Sequence, residues 1–321
     1  LEAAETGKQV VLVEKRPYLG GRVSQLYKYF PKLCFPTCGL EINQRRAKMN
    51  PNLTVVTMAE VTDIKGEKGS YTATVKISPR YVNENCTACG ECEKAVEAEF
   101  DDEYNYGLSK RKGAYLPYPM AHPQRYVLDP AIIGTDDARK AKDTCKYGAV
   151  DLDMQEETID FPCGAVIWAT GWRPYDAAKI QPYGYDRFPN VITSVEFERM
   201  ADPSGPTGGK IVRPSDGKEA KKVAFIQCAG SRDRNHLLHC SRICCMASLK
   251  QCTYVSDAYD AEISVYYIDI RAIDRFEDFY TKVRKIEQVK FIKSKPAAVV
   301  ADKDGNPVVH GVDTEGYNRF A

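Results

Sequence analysis

Leu1-Glu2-Ala3-Ala4-Glu5-Thr6-Gly7-Lys8-Gln9-Val10-Val11-Leu12-Val13-Glu14 opens the chain and decides its fold class. The residues before Gly7 read as the end of a helix, and Gly7 stops it as a C′ glycine would. Val10–Val13 is a short apolar strand, closed by Glu14. Helix, glycine, strand and terminal acid form the second half of a dinucleotide-binding βαβ unit. Such a unit starts with a strand and a glycine-rich turn, so about 20 to 30 further residues are expected upstream of Leu1. The last residues, Tyr317-Asn318-Arg319-Phe320-Ala321, end on no recognisable cap and read as cut too.

Size and charge narrow the function classes. A chain of 321 residues suits two packed domains, or one with an insert. Apolar residues make up 43%, enough for a sizeable core, and 45 basic residues against 44 acidic ones give a net charge of +1. That balance leaves no basic footprint for nucleic acid and no polybasic membrane patch. No uncharged apolar run reaches the roughly 18 residues of a membrane helix, and no signal peptide is visible. The chain therefore reads as soluble, meeting a membrane only through a partner. Twelve cysteines are the unusual feature. A disulfide scaffold concentrates such numbers in under ~100 residues. In a longer chain with its own core, clustered cysteine points to metal, chiefly iron–sulfur.

Glu14 stands where an acid binds the ribose 2′-hydroxyl, with Lys15 beside it. Alone it reads equally as a solvated strand end. Gly20-Gly21-Arg22 follows within reach. Paired glycines let backbone approach a phosphate, and the arginine neutralises it. Further on, Ala165-Val166-Ile167-Trp168-Ala169-Thr170-Gly171 reads as a buried strand ending in Ala-Thr-Gly. This acid, Gly-Gly-Arg and Ala-Thr-Gly series resembles the FAD domain of the two-dinucleotide-fold flavoproteins, the thioredoxin reductase group. The resemblance implies FAD held near Glu14, Lys15, Gly20, Gly21, Arg22, Thr170 and Gly171.

Residues 81–150 break the α/β rhythm with Cys86-Thr87-Ala88-Cys89-Gly90-Glu91-Cys92. C-x2-C-x2-C is the spacing of a ferredoxin cluster loop. In two-cluster ferredoxins the fourth cysteine of such a run serves the other cluster; here that position is Val96, so the partner cluster is expected to be missing. Cys145 supplies the fourth thiolate, since Cys145-Lys146-Tyr147-Gly148-Ala149-Val150 resembles the last cysteine stretch of a ferredoxin, with lysine for proline. One [4Fe–4S] cluster is thus assigned to Cys86, Cys89, Cys92 and Cys145. Zinc is the alternative, but its sites usually show separate Cys pairs or Cys–His pairs, and His122 is the only nearby histidine. The segment Tyr104 to Asp129, rich in Tyr and Pro, reads as a solvated loop with buried tyrosines rather than a docking loop.

Lys221-Lys222-Val223-Ala224-Phe225-Ile226-Gln227 enters a second dinucleotide-type unit. A nicotinamide site would continue Gly-x-Gly-x-x-Gly; this chain continues Cys228-Ala229-Gly230-Ser231-Arg232-Asp233. A helix-like stretch, Cys240 to Lys250, and a strand, Ile263 to Asp269, follow. Helix N-termini carry free N–H groups and a positive dipole end, which suit thiolates as they suit phosphate. Cys228, Cys240, Cys244 and Cys245 give C-x11-C-x3-C-C. Adjacent Cys244 and Cys245 do not point the same way on a regular helix, so a distorted site with irregular ligation is expected.

These stretches closely resemble the A subunit of heterodisulfide reductase: Gly205 to Gly209, Val212 to Lys218, Phe225 to Cys228, Gly230 to Asp233, Cys240 to Met246, Asp269 to Ala272 and Glu277 to Tyr280. The resemblance covers nearly the whole chain. It implies an electron-transfer oxidoreductase component with FAD, a second, asymmetrically held [4Fe–4S] cluster on Cys228, Cys240, Cys244 and Cys245, and Lys250 close to the flavin N5. Within the family, Phe30 to Asn43 is similar to the short members. These belong to the quinone-interacting membrane-bound oxidoreductase of sulfate reducers and to the sulfur-oxidising heterodisulfide-reductase-like complex. The first implies three partners: a second flavo-iron–sulfur subunit, a quinone-reactive subunit of the membrane, and adenylylsulfate reductase. It also implies a place in the cytoplasm beside the inner membrane. Cys34 and Cys38 read either as a redox pair or as buried thiols beside the flavin; Cys163 and Cys252 read as structural. The expected architecture is therefore α/β: a two-dinucleotide-binding, thioredoxin-reductase-like flavoprotein fold with a ferredoxin-like insert. Residues 1–80 and 151–205 form the FAD domain, 81–150 the insert, and 206–321 a second Rossmann-like domain carrying the cysteine-rich site. An NAD(P)H-dependent disulfide reductase using Cys34 and Cys38 is the competing enzyme; a degenerate, cofactor-free scaffold is the non-enzymatic alternative.

Overall fold

The computed structural model describes residues 1–321, which divide into two compact units, Leu1–Trp172 and Arg173–Ala321. Both are mixed α/β and built on small sheets. In the first unit α1 (Glu2–Glu5) ends at Thr6, and Gly7 follows at φ +85°, the left-handed region a C′ glycine occupies. β1 (Val10–Glu14) leads into α2 (Pro36–Met49), which opens on a proline whose missing N–H has no partner to lose. β2 (Leu53–Thr57) then pairs in parallel with β1, from Val10 against Leu53 to Glu14 against Thr57.

β3 (Ala59–Glu67) and β4 (Ser70–Ile77) make an antiparallel hairpin. The chain then leaves the sheet for α3 (Glu91–Ala95), β5 (Glu99–Asp101), β6 (Lys110–Lys112), β7 (Ala114–Tyr115), β8 (Val127–Leu128) and α4 (Asp136–Thr144). It returns as β9 (Glu157–Cys163), antiparallel to β4. The neck of this excursion is stitched by Val82 against Val150, with the Asn83 N–H on the Ala149 carbonyl at 2.8 Å. It has its own core, in which Val82, Val96, Leu128, Ile132 and Val150 are buried. Tyr104, Tyr118 and Tyr126 are buried as well, so the tyrosine-rich segment is packed.

The segment expected as a buried strand, Ala165 to Gly171, is not one. It has no regular structure, and Ile167 and Trp168 are 78% and 69% exposed. A strand exists only where a neighbour takes its N–H and C=O groups. The parallel sheet of this unit contains β1 and β2 alone, and the segment pairs with neither.

In the second unit α5 (Ser194–Ala201) starts from a capping box between Thr193 and Glu196. β10 (Lys222–Ile226), α6 (Cys244–Ala258), β11 (Glu262–Tyr267), α7 (Phe276–Arg284) and β12 (Val289–Lys293) follow. The three strands lie parallel in the order β10-β11-β12, with one helix in each crossover. α6 is the core helix: Leu249, Cys252 and Val255 are wholly buried. An antiparallel sheet of β13 (Ala298–Ala301), β14 (Pro307–Val312) and β15 (Arg319–Phe320) completes the unit. The expected helix start at Cys240 is also corrected. Arg242 has φ +61°, a left-handed turn that a helix does not continue through, and α6 begins at Cys244. No helix is long and apolar enough to cross a membrane.

Candidate functional site

The C-x2-C-x2-C loop and the chain after α4 meet in one pocket. Its walls include Cys86, Cys89, Cys92 and Cys145, closed in by Tyr126 and Val150. Three local devices place the thiols. Gly90 holds φ +83° at the start of α3 and turns the loop between Cys89 and Cys92. Cys145 ends α4, where its backbone turns extended. The Ala88 N–H donates to Cys86 Sγ at 3.4 Å and the Ala149 N–H to Cys145 Sγ at 3.3 Å. Backbone donors aimed at sulfur are one of the levers that set a cluster's potential. Burial, and after it the neighbouring Cys86, push the Cys92 thiol up to about 12. Cys145 and Cys89 add to the rise, so all four thiols share one field.

No three His, Cys, Asp or Glu side chains converge as the ligands of one metal ion do. One tetrahedral zinc with bonds of about 2.3 Å draws its sulfurs to about 3.8 Å apart; a cubane gives each thiolate its own iron and spreads them. Four thiols around one pocket, with N–H groups on two of them, fit the cubane. Gly90→Ala forces an L side chain into the left-handed region and sets its Cβ 3.3 Å from the Tyr126 hydroxyl. The expected loss is about 1–2 kcal/mol, read as a lower denaturation midpoint, with weaker retention of iron.

The second set gathers where β10 meets α6. Cys228 is buried just past the strand end at φ +56°, and Cys244 and Cys245 are the first residues of α6. Cys240 sits on the approach, its Sγ accepting the Arg242 N–H at 3.4 Å. Ser241 Oγ lies 3.1 Å from Cys244 Sγ. Burial pushes the Cys228 thiol up, Cys244 and Cys240 add to it, and the Arg232 guanidinium pulls it back. Burial raises Cys245 too, and Cys244, Cys228 and Cys240 contribute. The four therefore stand within each other's fields. Three of them come from the strand end or the helix start and Cys240 from an irregular turn, so the four are unevenly placed.

At the nucleotide side, Glu14 ends β1, and its Oε1 accepts the Arg16 N–H at 2.8 Å. Lys15 is taken up by an exposed pair with Glu60 at 3.0 Å. Gly20 and Gly21 both have positive φ. Arg22 reaches the residue after Gly171: its Nε donates to the Trp172 carbonyl at 2.9 Å and its guanidinium lies 5.6 Å from the Trp172 ring. Thus Arg22 and the end of the Thr170-Gly171 segment come together. The open backbone at Gly21, where a Cβ would meet nothing within 4 Å, fits close approach by a phosphate.

Lys250 is buried on α6, 4% exposed, with its Nζ 3.1 Å from Glu198 Oε1. Glu198 also accepts from Gln251 Nε2 at 2.8 Å and from the Tyr254 hydroxyl at 3.2 Å. Cys34 and Cys38 are exposed, so the reading of them as buried thiols is corrected: Cys34 precedes α2 and Cys38 lies in its first turn. Cys252 is fully buried, and burial pushes its thiol up to about 12, as a packing cysteine requires. Sequence reasoning missed Arg80, buried against Pro17 and Thr57, and the Tyr126–Glu93 hydrogen bond of 2.7 Å at the pocket wall. Nothing local in the sequence marks either.

No family model matches the chain. Among curated proteins it is 38% identical over 319 residues to the second iron–sulfur A subunit of the CoB–CoM heterodisulfide reductases of Methanopyrus kandleri, covering 98% of this chain and 48% of that protein. It is 40% identical over 324 residues to the iron–sulfur A subunit of the CoB–CoM heterodisulfide reductase of Methanocaldococcus jannaschii, with 98% and 48% covered. Against the A subunit of the ferredoxin/F420H2-dependent CoB–CoM heterodisulfide reductase of Methanosarcina acetivorans the identity is 38% over 320 residues, 98% of this chain and 40% of that one. The chain spans about half the length of the curated relatives it matches. Over that shared half, the chain is similar in sequence to the A subunits of the heterodisulfide reductases, which are oxidoreductases.

Proposed function

We propose that the chain is the FAD- and iron–sulfur-carrying electron-transfer part of a heterodisulfide-reductase-like complex. The observation that carries this reading is the pair of cysteine quartets, one in each unit, each gathered from separate stretches of sequence. Cys86, Cys89, Cys92 and Cys145 would hold one [4Fe–4S] cluster, and Cys228, Cys240, Cys244 and Cys245 the other. Glu14, Gly20, Gly21, Arg22, Thr170 and Gly171 would hold FAD. A flavin supplies two-electron chemistry and clusters supply one-electron steps, so together they divide an electron pair between carriers. The protein's own part is to fix the thiols, aim N–H groups at sulfur and bury the sites.

The finer reading places the complex between the menaquinone pool and adenylylsulfate reductase in sulfate reduction, on the similarity of Phe30 to Asn43 to the short family members. The partners are then a second flavo-iron–sulfur subunit and a quinone-reactive subunit of the membrane. Identity to methanogen proteins favours a second reading, in which the same core serves a CoB–CoM heterodisulfide reductase. The neighbouring genes separate the two: a membrane cytochrome subunit with adenylylsulfate reductase supports the first. An NAD(P)H-linked disulfide reductase is disfavoured because β10 runs into Cys228-Ala229-Gly230 instead of a Gly-x-Gly-x-x-Gly turn. The test is anaerobic loading of the full chain with iron, sulfide and FAD. About eight irons per chain and one flavin are expected, as two cubanes require, and NADH added alone leaves the flavin yellow. Colourless protein, or flavin bleached by NADH within the mixing time, overturns the proposal.

A further inference from the structure

Arg80 lies just before the neck of the insert and is 7% exposed. Its Nη2 donates to the Pro17 carbonyl at 2.6 Å and to Thr57 Oγ1 at 2.9 Å, and its Nη1 to the Arg125 carbonyl at 3.2 Å. All three acceptors are neutral, and no carboxylate pairs with the guanidinium. Burying a cation without a counter-charge is costly, so an anion held elsewhere in the fold is the natural compensation. The partners show where to look. Pro17 and Thr57 belong to the βαβ half of the unit, and Arg125 adjoins Tyr126, which walls the cysteine pocket. The Arg80 carbonyl accepts the Leu128 N–H at 3.2 Å, and Val82, two residues on, lines the same pocket. Arg80 therefore sits between the βαβ half and the wall of the cysteine pocket.

We propose that Arg80 is a positioning residue for the insert's cluster: a buried, unneutralised guanidinium whose field favours the reduced cluster over the oxidised one. The inference rests on the assignment of a cubane to Cys86, Cys89, Cys92 and Cys145. A cubane held by four thiolates is anionic, and taking up one electron adds one negative charge with no bond made or broken. A nearby cation in a low-dielectric setting stabilises that added charge more than the state before it. Burial, and after it the like-charged Arg125, hold the Arg80 pKa down to about 10, while Tyr115 and Cys86 act in the opposite sense. The side chain is thus still a cation at neutral pH, and Cys86 lies within its field. One of the three hydrogen bonds ties the cation to the turn after Glu14, one to Thr57 at the end of β2 and one to Arg125 beside the pocket wall, so its place is fixed from both sides.

The experiment is an anaerobic redox titration of the full chain loaded with iron and sulfide, with dithionite as the electron donor. The signal read is the electron paramagnetic resonance of the insert's reduced cluster, recognised as the one absent from Cys145→Ser. Arg80→Gln is expected to shift the reduction equilibrium about tenfold toward the oxidised cluster, about 59 mV lower for one electron. Arg80→Lys keeps the charge and is expected to stay within about threefold of the parent. Thr57→Asp sets a carboxylate against the guanidinium without deleting it and is expected to lower the potential as Arg80→Gln does, even if that variant fails to fold. Parent potentials in Arg80→Gln and Thr57→Asp, with the cluster bound, overturn the role of Arg80 alone. So does an equal shift in Arg80→Lys. Parent protein that takes up no cubane on the insert overturns the cluster assignment and this inference with it.

Discussion

Cys145→Ser is expected to strip the insert of its cluster and cut the bound iron from about eight to about four per chain, one cubane's share. Cys145 is the proposed ligand that comes from the far end of the insert, at the close of α4, while the other three lie on one loop. Its loss leaves three thiolates on a core that needs four, and serine is a harder, shorter ligand. The pocket also loses its link across the neck, since Cys145 Sγ accepts the Ala149 N–H and the Ala149 carbonyl receives Asn83. Iron and sulfide analysis after anaerobic loading reads the result. Cys163→Ser, on β9 and outside both quartets, is the comparison and keeps its iron. Full iron in Cys145→Ser would remove that residue from the ligand set.

Glu198→Ala is expected to cost about 3–5 kcal/mol of stability, the range for breaking one side of a buried ion pair. Glu198 is 2% exposed and receives Lys250, Gln251 and Tyr254. Its removal takes a carboxylate away from a buried ammonium in the core of the second unit. Glu198→Leu combined with Lys250→Met removes both charges and is expected to recover most of the loss, because the desolvation cost goes with them. Urea denaturation of the parent, Glu198→Leu, Lys250→Met and their double variant gives the coupling energy, with Glu198→Ala read beside them. A single variant within about 1 kcal/mol of the parent, the worth of an exposed pair, would mean the pair is wet. The pairing also qualifies the expectation for Lys250 at a flavin: the ammonium is already held by a carboxylate, so what it presents to any neighbour is the field of a pair.

What the sequence discloses and what it conceals divide along separation in the chain. Gly7, the strand to Glu14 and the cysteine loop are local patterns, and each stands where those patterns put it. Cys145 is legible because the tail of a ferredoxin unit is itself a local pattern. The strand expected at Ala165 to Gly171 fails because apolar, β-branched composition says a segment suits a sheet, not that a neighbour is available. The start of α6 lies later than expected because a run of Cys, Ser and Ile fits a helix as well as a turn, and the left-handed Arg242 leaves no compositional trace. Arg80, Glu198 and the Tyr126–Glu93 contact are hidden, since an arginine or glutamate looks solvated in sequence until a distant segment covers it.

The three rings of Tyr18, Tyr104 and Tyr118 bear on speed. Tyr18 stands edge-on to both others at 5.5 and 5.3 Å, and Tyr104 stacks on Tyr118 at 4.9 Å. Tyr18 belongs to the turn after the first strand, and the other two to the excursion that bears the cysteine pocket. This buried aromatic clasp packs one against the other. With a flavin held beside Glu14 and a cluster in the pocket, as proposed, tunnelling between them would fall off exponentially with separation, so a fixed gap would give every molecule the same hop time and a loose one would smear it.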